Sequence, residues 1–192
     1  TMGETFYTTL QSIGGSKLSQ GFQQTWLSVA ASSIVLKLFL EGLYAGSGTM
    51  NQARGTSGPQ FEAGIADKVT LELHNTSAPY SIAYAFPNTA IHTDGNLNIA
   101  SLPSNLSASY FMVLKHRNSI ETWSATPVSF TVPSVIYDFT TAASKAYGNN
   151  LKSLGGIYAI FSGDASQDGI VDGTDMAAVD NANTHILLGY NP

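Results

Sequence analysis

Twelve residues near the C-terminal end, 164–175, carry closely spaced oxygen-bearing side chains. The spacing places these oxygens at positions 1, 3, 5, 9 and 12 of the segment, with Gly169 at position 6. The glycine permits a sharp turn, and Ile170 at position 7 can offer its backbone carbonyl. Oxygen donors favour a hard cation. The segment therefore predicts one Ca²⁺ ion, held by Asp164, Ser166, Asp168, the Ile170 carbonyl, Asp172 and Asp175.

The four aspartates of this segment have no Lys or Arg between them, so an ordinary acidic surface loop would suffer uncompensated repulsion. The spacing resembles an EF-hand calcium loop, with two departures. Position 12 is Asp175 where an EF-hand has glutamate, and residues 155–161 form an apolar run typical of a strand, where an EF-hand has its entering helix.

Those departures are shared by another calcium motif. Gly163-Asp164 followed by Asp168-Gly169-x-Val171-Asp172-x-x-Asp175-Met176 resembles one repeat of a type I dockerin. Dockerins carry two such repeats and attach polysaccharide-degrading enzymes to cohesin scaffolds. Because this chain has one repeat, we expect it to pack on its own domain and not to bind a cohesin.

A second candidate site combines a planar cation, an amide, a carboxylate and an indole within residues 116–123. His116, Arg117 and Asn118 lead a predicted strand into a turn, and Glu121 and Trp123 follow on the next strand. A carbohydrate site uses this mixture, with the aromatic ring stacking on the sugar and the polar groups bonding its hydroxyls. In the alternative, Trp123 lies in the core, Arg117 pairs with Glu121 and Asn118 forms the turn. The sequence leaves both open.

Catalytic patterns are weak in this chain. Glycoside hydrolysis requires two carboxylates in one cleft, and the scattered Glu residues cannot be paired from the sequence. A nucleophile elbow of the form G-x-S-x-G does not occur, and the four His lack the i, i+4 spacing of a zinc site. We therefore expect a protein that is not an enzyme.

Composition points to an extracellular β-protein. Charged residues make up 11% of the chain against 43% hydrophobic residues, and eighteen Gly accompany many small polar residues. A net charge of −5 with eight scattered Lys and Arg excludes the basic footprint of nucleic-acid binding. Zero Cys excludes disulfides, and no apolar run reaches the ~18 residues of a membrane span. We expect a secreted or cell-surface monomer in which Ca²⁺ replaces disulfides.

Short apolar runs separated by turn residues predict an all-β, antiparallel sandwich. Residues 45–66 are predicted to form a long surface loop, and Asp94-Gly95 a hairpin turn. The predicted strands are 3–10, 17–24, 34–41, 69–74, 82–86, 90–93, 97–100, 110–116, 121–124, 128–132, 135–139 and 155–161.

Two further resemblances refine this expectation. The run Val69-x-Leu71 … Thr93-Asp94-Gly95 … Tyr110-x-Met112-Val113 resembles Greek-key sandwiches of the transthyretin-like and collagen-adhesin B-repeat type. Residues 3–24, 115–124 and 144–150, together with the calcium loop, resemble the C-terminal region of large bacterial proteins of the type IX secretion type. That resemblance implies an immunoglobulin-like or transthyretin-like sandwich, non-catalytic, beside polysaccharide-active or adhesive domains.

We therefore expect three segments: an N-terminal hairpin or linker over 1–30, a sandwich over 31–140, and a strand, dockerin-like calcium loop and short helix over 141–192. Met176, Val179 and Leu187 are predicted to pack on the sandwich through Tyr158 and Phe161. The leading function is a calcium-binding accessory module for polysaccharide. The alternatives are a structural spacer or adhesion module, and calcium-dependent protein docking.

Overall fold

The computed structural model describes residues 31–184, and regular structure in that range is mostly β-strand. The predicted N-terminal strands and Leu187 lie outside these residues. One α-helix is described, α1 over Gly173–Thr184, and it is not long and apolar enough to cross a membrane. The strands are β1 Ser33–Lys37, β2 Tyr44–Gly46, β3 Thr49–Met50, β4 Arg54–Gly55, β5 Gly58–Pro59, β6 Ile65–His74, β7 Ile82–His92, β8 Asn96–Ile99, β9 Ser109–His116, β10 Ser119–Trp123, β11 Val128–Ser129, β12 Ser134–Asp138, β13 Lys152–Ser153 and β14 Tyr158–Ala159.

The first main sheet has three strands in the order β12-β1-β8. Its central strand, β1, alternates in burial, and Ile34 and Leu36 are completely buried. This confirms the predicted buried strand, although it ends at Lys37 and not at residue 41. β1 runs antiparallel to β8 but parallel to β12, so the prediction of a wholly antiparallel fold is wrong at this pair.

The second main sheet has the order β10-β9-β6-β7, with β11 also paired to β9. Its central strand, β6, alternates as predicted: Val69, Leu71 and Leu73 join the hydrophobic core. Glu72 and His74 lie on the opposite side, which we call the outer face. Their exposed fractions are only 8% and 7%, because neighbouring side chains on the same face cover them.

Both main sheets contribute to one hydrophobic core. The described strands meet in a single cluster of buried residues, so neither sheet has a core of its own. Burying large aliphatic side chains contributes about 1.5–3 kcal/mol each, which makes this shared cluster the main stabilising element. Its members from the two sheets include Ile34, Leu36, Leu97, Val135, Val69, Leu71, Leu73, Ile91, Met112 and Leu114.

Residues 45–66 are more ordered than the predicted surface loop. They contain two short hairpins, β2–β3 and β4–β5. The Gln52 amide donates to the carbonyl oxygens of Glu62 at 2.6 Å and Ile65 at 2.9 Å, which closes the second hairpin region. Met50 and Ala53 are buried. The sequence did not indicate that Met50 and Ala53 are buried, because the segment around them is mostly polar.

The predicted hairpin around Asp94-Gly95 is wrong, because β8 pairs with β1 and not with β7. Gly95 causes the change of sheet. Its carbonyl accepts the Leu38 N–H at 3.0 Å, and its φ is +85°. A Cβ there would lie 2.7 Å from both the Leu38 carbonyl oxygen and a ring carbon of Phe39. Close approach to the end of β1 therefore requires glycine.

The C-terminal helix does not pack as predicted. Met176 is 68% exposed and Val179 59% exposed, so neither residue contacts a core through Tyr158 and Phe161. The described part of α1 is rich in Ala, Asp and Asn, and it holds only these two large apolar side chains. Two residues do not form the wide apolar stripe that fastens a surface helix to a domain.

Gly95→Ala tests the corner between β7 and β8. We expect the free energy of unfolding to fall by about 3 kcal/mol, because the new methyl group adds overpacking to the backbone cost of a positive φ. Gly64→Ala is the matched control, since its φ is +87° but nothing lies within 4 Å of its Cβ position. Urea denaturation should show equal losses for the two variants if the close approach to Leu38 is unimportant.

Candidate functional site

A buried carboxylate joins the two candidate sites. The Asp67 side chain is completely buried, and its Oδ2 accepts a hydrogen bond from Arg117 Nη2 at 2.6 Å and lies 3.3 Å from His116 Nε2. Its Oδ1 accepts the Lys68 N–H at 2.8 Å. Burial raises the pKa of Asp67, but the hydrogen bonds from His116 and Lys68 and the charge of Arg117 outweigh burial and lower the pKa below 3.8. Asp67 is therefore ionised at neutral pH.

The same cluster places a carboxylate, an imidazole and a hydroxyl in series. His116 Nδ1 lies 2.9 Å from Ser119 Oγ, on the side of the ring away from Asp67. Hydrolases activate a serine with such a series. Here Ser119 is 1% exposed and His116 is 8% exposed, so a substrate cannot reach the hydroxyl. The series connects strands and does not form an accessible nucleophile.

The turn between β9 and β10 holds the start of the calcium loop. Two backbone hydrogen bonds of 3.0 Å connect β10 and this turn to the residues just before the loop, and a third bond of 3.1 Å connects the same residues to the side chain of Glu41, which follows β1. Asn118, a predicted ligand-binding residue, takes part through its backbone. The bonds run from Gly163 N–H to the Asn118 carbonyl, from Ile120 N–H to the Phe161 carbonyl, and from Ser162 N–H to Glu41 Oε2.

The first and last carboxylates of the calcium loop lie inside it. Asp164 is 2% exposed and Asp175 is 4% exposed. Each of their four oxygens accepts a backbone N–H of the loop, and the bond to Ser166 N–H leads those that lower the pKa of Asp175. The loop therefore folds around these two side chains. The donors are Asp168 and Gly169 to Asp164 at 3.1 Å, and Ser166 and Asp172 to Asp175 at 2.9 Å.

The other two aspartates are exposed and close small turns. Asp168 accepts the Ile170 N–H at 2.9 Å, and Asp172 accepts both the N–H and the hydroxyl of Thr174. The hydroxyl and N–H of Thr174 lower the pKa of Asp172.

The loop offers the hard oxygen donors that Ca²⁺ prefers. None of its four aspartates forms an ion pair with a Lys or Arg of residues 31–184. Within that range no three acidic or histidine side chains converge into a metal-binding group. The type of donor fits calcium, but the carboxylates do not converge on one point, so the calcium site stays a prediction.

Trp123 lies on the outer face of the second sheet and not in the core. It is half-buried and pairs with Val113 of β9. Its ring centroid is 5.8 Å from that of Phe111 and 6.2 Å from that of Tyr80, which is 45% exposed. We call Tyr80, Phe111 and Trp123 the aromatic platform. The sequence did not indicate this group, because its members come from three separate segments.

Charged side chains border the aromatic platform. Trp123 Nε1 donates to Glu121 Oε1, and Lys115 Nζ lies 3.1 Å from Glu121 Oε2 and 3.2 Å from Glu72 Oε2. His74 Nε2 is 2.8 Å from the same Glu72 oxygen. Burial raises the pKa of Glu72, but the hydrogen bonds from His74 and Lys115 lower it overall. Burial lowers the pKa of Lys115, and Glu121 and Glu72 raise it overall. This network is fully charged at Glu72 and Lys115 near neutral pH.

A cleft of about 230 Å³ separates the outer face from the calcium loop. Gln167 forms its wall on the loop side, and Lys115 belongs to both the cleft and the platform border. Its lining residues are Lys68, Val69, Thr70, Asn88, Lys115, His116, Arg117 and Gln167.

The five predicted ligand-binding residues are therefore divided. His116 and Arg117 line the cleft, Trp123 belongs to the platform, Glu121 borders it, and Asn118 forms the turn. Arg117 pairs with Asp67 and not with Glu121.

Comparison with known proteins leaves the family unassigned. No protein-family model matches the chain, and neither a curated protein nor a solved structure matches it. The resemblances to dockerins and to the type IX secretion group therefore stay predictions.

Asp67→Asn tests the buried cluster. At pH 7 we expect a loss of about 3 kcal/mol in unfolding free energy, because Arg117 loses a buried anionic partner. The lowered pKa of Asp67 means that its contribution is complete above pH ~4 and disappears as the pH falls through the folded-state pKa. Urea denaturation of both proteins at pH 7 and pH 2.5 should show the difference shrinking in acid. Glu62→Gln, at an exposed position, is the control; a pH-independent difference would contradict the assignment.

Proposed function

We propose that this protein is a secreted, non-catalytic, calcium-binding module that binds polysaccharide beside a degradative or adhesive domain. The observation that carries the proposal is the aromatic platform, which lies on the outer face and includes the half-buried indole of Trp123. Sugar rings present apolar C–H faces that stack on aromatic rings, and their hydroxyls need polar partners nearby. The platform and its border offer both.

The architecture that suits this role is an immunoglobulin-like or transthyretin-like sandwich. The shared core of the two main sheets supports it, since each sheet buries one face against the same cluster. In such an arrangement the other sheet does not cover the outer face of the second sheet, so the half-buried Trp123 can meet a ligand there.

The details of the platform favour a stacking role for Trp123. Glu121 accepts the indole N–H, which satisfies the polar edge of the ring within the protein. Edge contacts from Tyr80 and His74 fix the ring orientation, at interplanar angles of 85° and 64°. Fixing the ring before binding reduces the conformational entropy lost on binding. Glu121 and Lys115 are positioned to bond sugar hydroxyls.

Calcium would be held by Asp164, Ser166, Asp168, the Ile170 carbonyl, Asp172 and Asp175. The ion would compensate the negative charge of the four loop carboxylates, which have no Lys or Arg partner in residues 31–184. The loop's own residues prepare this role, since its backbone N–H groups orient the carboxylates of Asp164 and Asp175. Because Gly163 is bonded to the β9–β10 turn, an ordered loop would also hold the wall of the cleft.

Calcium-dependent protein docking is the second candidate. Four large apolar side chains in the calcium loop and α1 are between 50% and 68% exposed: Ile170, Val171, Met176 and Val179. Exposed apolar groups that lie close together are typical of interaction surfaces. This observation favours docking through the loop and helix, at a place separate from the aromatic platform.

Calcium binding is tested by thermal unfolding. Wild-type protein should melt at a higher Tm in calcium than in EDTA, because a ligand of the folded state at 100 times its Kd stabilises by about 2.7 kcal/mol. Asp168→Asn should reduce the shift, and Asp180→Asn, which removes the same charge outside the loop, should preserve it. Identical melting curves in calcium and EDTA would remove the calcium site from the proposal.

Polysaccharide binding is tested by a glycan array followed by calorimetry on the glycans that bind. Trp123→Ala should weaken binding at least about 10-fold, equivalent to about 1.4 kcal/mol, because the stacking surface is lost. Trp123→Phe should retain part of the affinity. Tyr147→Ala, which removes a 70%-exposed aromatic ring elsewhere, is the control. If no glycan on the array binds, the structural-spacer alternative is favoured. If Trp123→Ala binds as tightly as wild type, the platform is not the binding surface.

A further inference from the structure

The cleft beside the calcium loop concentrates the few cations of this chain. Lys68, Lys115 and Arg117 are three of the chain's eight Lys and Arg residues, and no acidic residue among those described lines the cleft. We propose that this cleft binds the carboxylate or sulfate of an acidic sugar unit, so that the polysaccharide of the proposed function is an acidic one. The inference rests on that function and specifies its ligand.

Two of the three cations are held in place from behind. Asp67, which is completely buried, bonds Arg117 Nη2 at 2.6 Å. Glu72 and Glu121 lie within 3.2 Å of Lys115 Nζ on the side of the platform. These carboxylates fix the long side chains without lining the cleft, so binding an anion there costs little side-chain entropy.

Lys68 supplies the charge that these pairs do not cancel. Its Nζ lies 5.4 Å from the centroid of the Phe61 ring, and it forms no ion pair with an acidic side chain in residues 31–184. The side chain is exposed at the rim of the cleft. An incoming anion therefore meets one ammonium group without an acidic partner, beside two cations whose charge is already balanced by Asp67, Glu72 and Glu121.

The charge balance selects the kind of anion. Three cations face three carboxylates, Asp67, Glu72 and Glu121, so the local net charge is close to zero. A multiply charged phosphate would need several unpaired cations to balance its charge. A single carboxylate or sulfate on a neutral polar body needs only one, which Lys68 supplies. Thr70, Asn88 and Gln167 supply neutral groups for the hydroxyls of that body.

Size and position agree with one sugar unit. The cleft volume of about 230 Å³ is smaller than the roughly 300–1,000 Å³ of pockets for drug-sized ligands, so it suits a single ring. Lys115 in the cleft and Phe111 in the platform are four residues apart on β9, a distance of about 13 Å. An extended polysaccharide can place an acidic unit in the cleft and another ring on the platform.

Paired glycans test this inference. Calorimetry would compare oligogalacturonate with its methyl ester, and carrageenan oligomers with their desulfated form, all at 50 mM salt. We expect at least one acidic member to bind about 10-fold tighter than its neutral counterpart and to weaken as salt rises, since screening weakens exposed charge pairs. Lys68→Gln should remove that preference and Lys68→Arg should keep it. Lys37→Gln removes the same charge from β1 of the first sheet and should change nothing.

The outcomes separate the two levels of the proposal. Equal binding of acidic and neutral members, with sensitivity to Trp123→Ala, would overturn the acidic specificity and leave polysaccharide binding intact. An acidic preference that survives Lys68→Gln would overturn the assignment to this cleft. Absence of binding to every glycan on the array and to both pairs would overturn both.

Discussion

The need to compensate one buried charge organises the part of this protein that contains both candidate sites. An ionised carboxylate without partners inside a protein costs several kcal/mol, so the position of Asp67 requires cations and donors around it. Arg117 and His116 meet that requirement, and both belong to the end of β9 and the turn that follows. That turn also places the Asn118 carbonyl where it accepts a hydrogen bond from the Gly163 N–H. The ion pair between Asp67 and Arg117 thus helps to position the turn, the cleft wall that Arg117 forms and the residue that precedes the calcium loop.

The outer face acquires its aromatic and charged groups from the register of three strands. Glu72 pairs with Val113, which pairs with Trp123, so the side chains of β6, β9 and β10 lie in one row. The register shifts between Ser119 and Thr122. His116 shares the inner face of β9 with Met112 and Leu114 by simple alternation, whereas the shift in β10 brings Trp123 opposite Val113 on the outer face.

The local pattern of apolar and polar residues predicted many of the strands, but it gave little information on which residues meet in the candidate sites. Alternation identified residues 69–74, the second half of β6, because the period of two survives wherever one face is buried, and the predicted strand 110–116 matches β9 to within one residue. The partner of β8 could not be inferred, since it depends on Gly95 meeting Leu38, a contact between segments far apart in sequence. Asp67 gave only a weak signal, because it is one of two acidic residues in β6 and is followed directly by Lys68, and Tyr80 gave none. Spacing within one loop was enough to state the calcium hypothesis, which stays a prediction, whereas the platform depends on tertiary contacts.

The parallel pairing of β1 with β12 has a consequence for how this chain is made. Ser33 and Ser134 are partners across 101 residues, with their hydroxyls 2.9 Å apart. During synthesis the first strand therefore emerges from the ribosome long before its neighbour exists. Closing so long a loop is entropically costly and slow, and it exposes the apolar edge of β1 in the interval. β8 can cover one edge of β1 earlier, but the other edge is completed only after almost the whole described region has been translated.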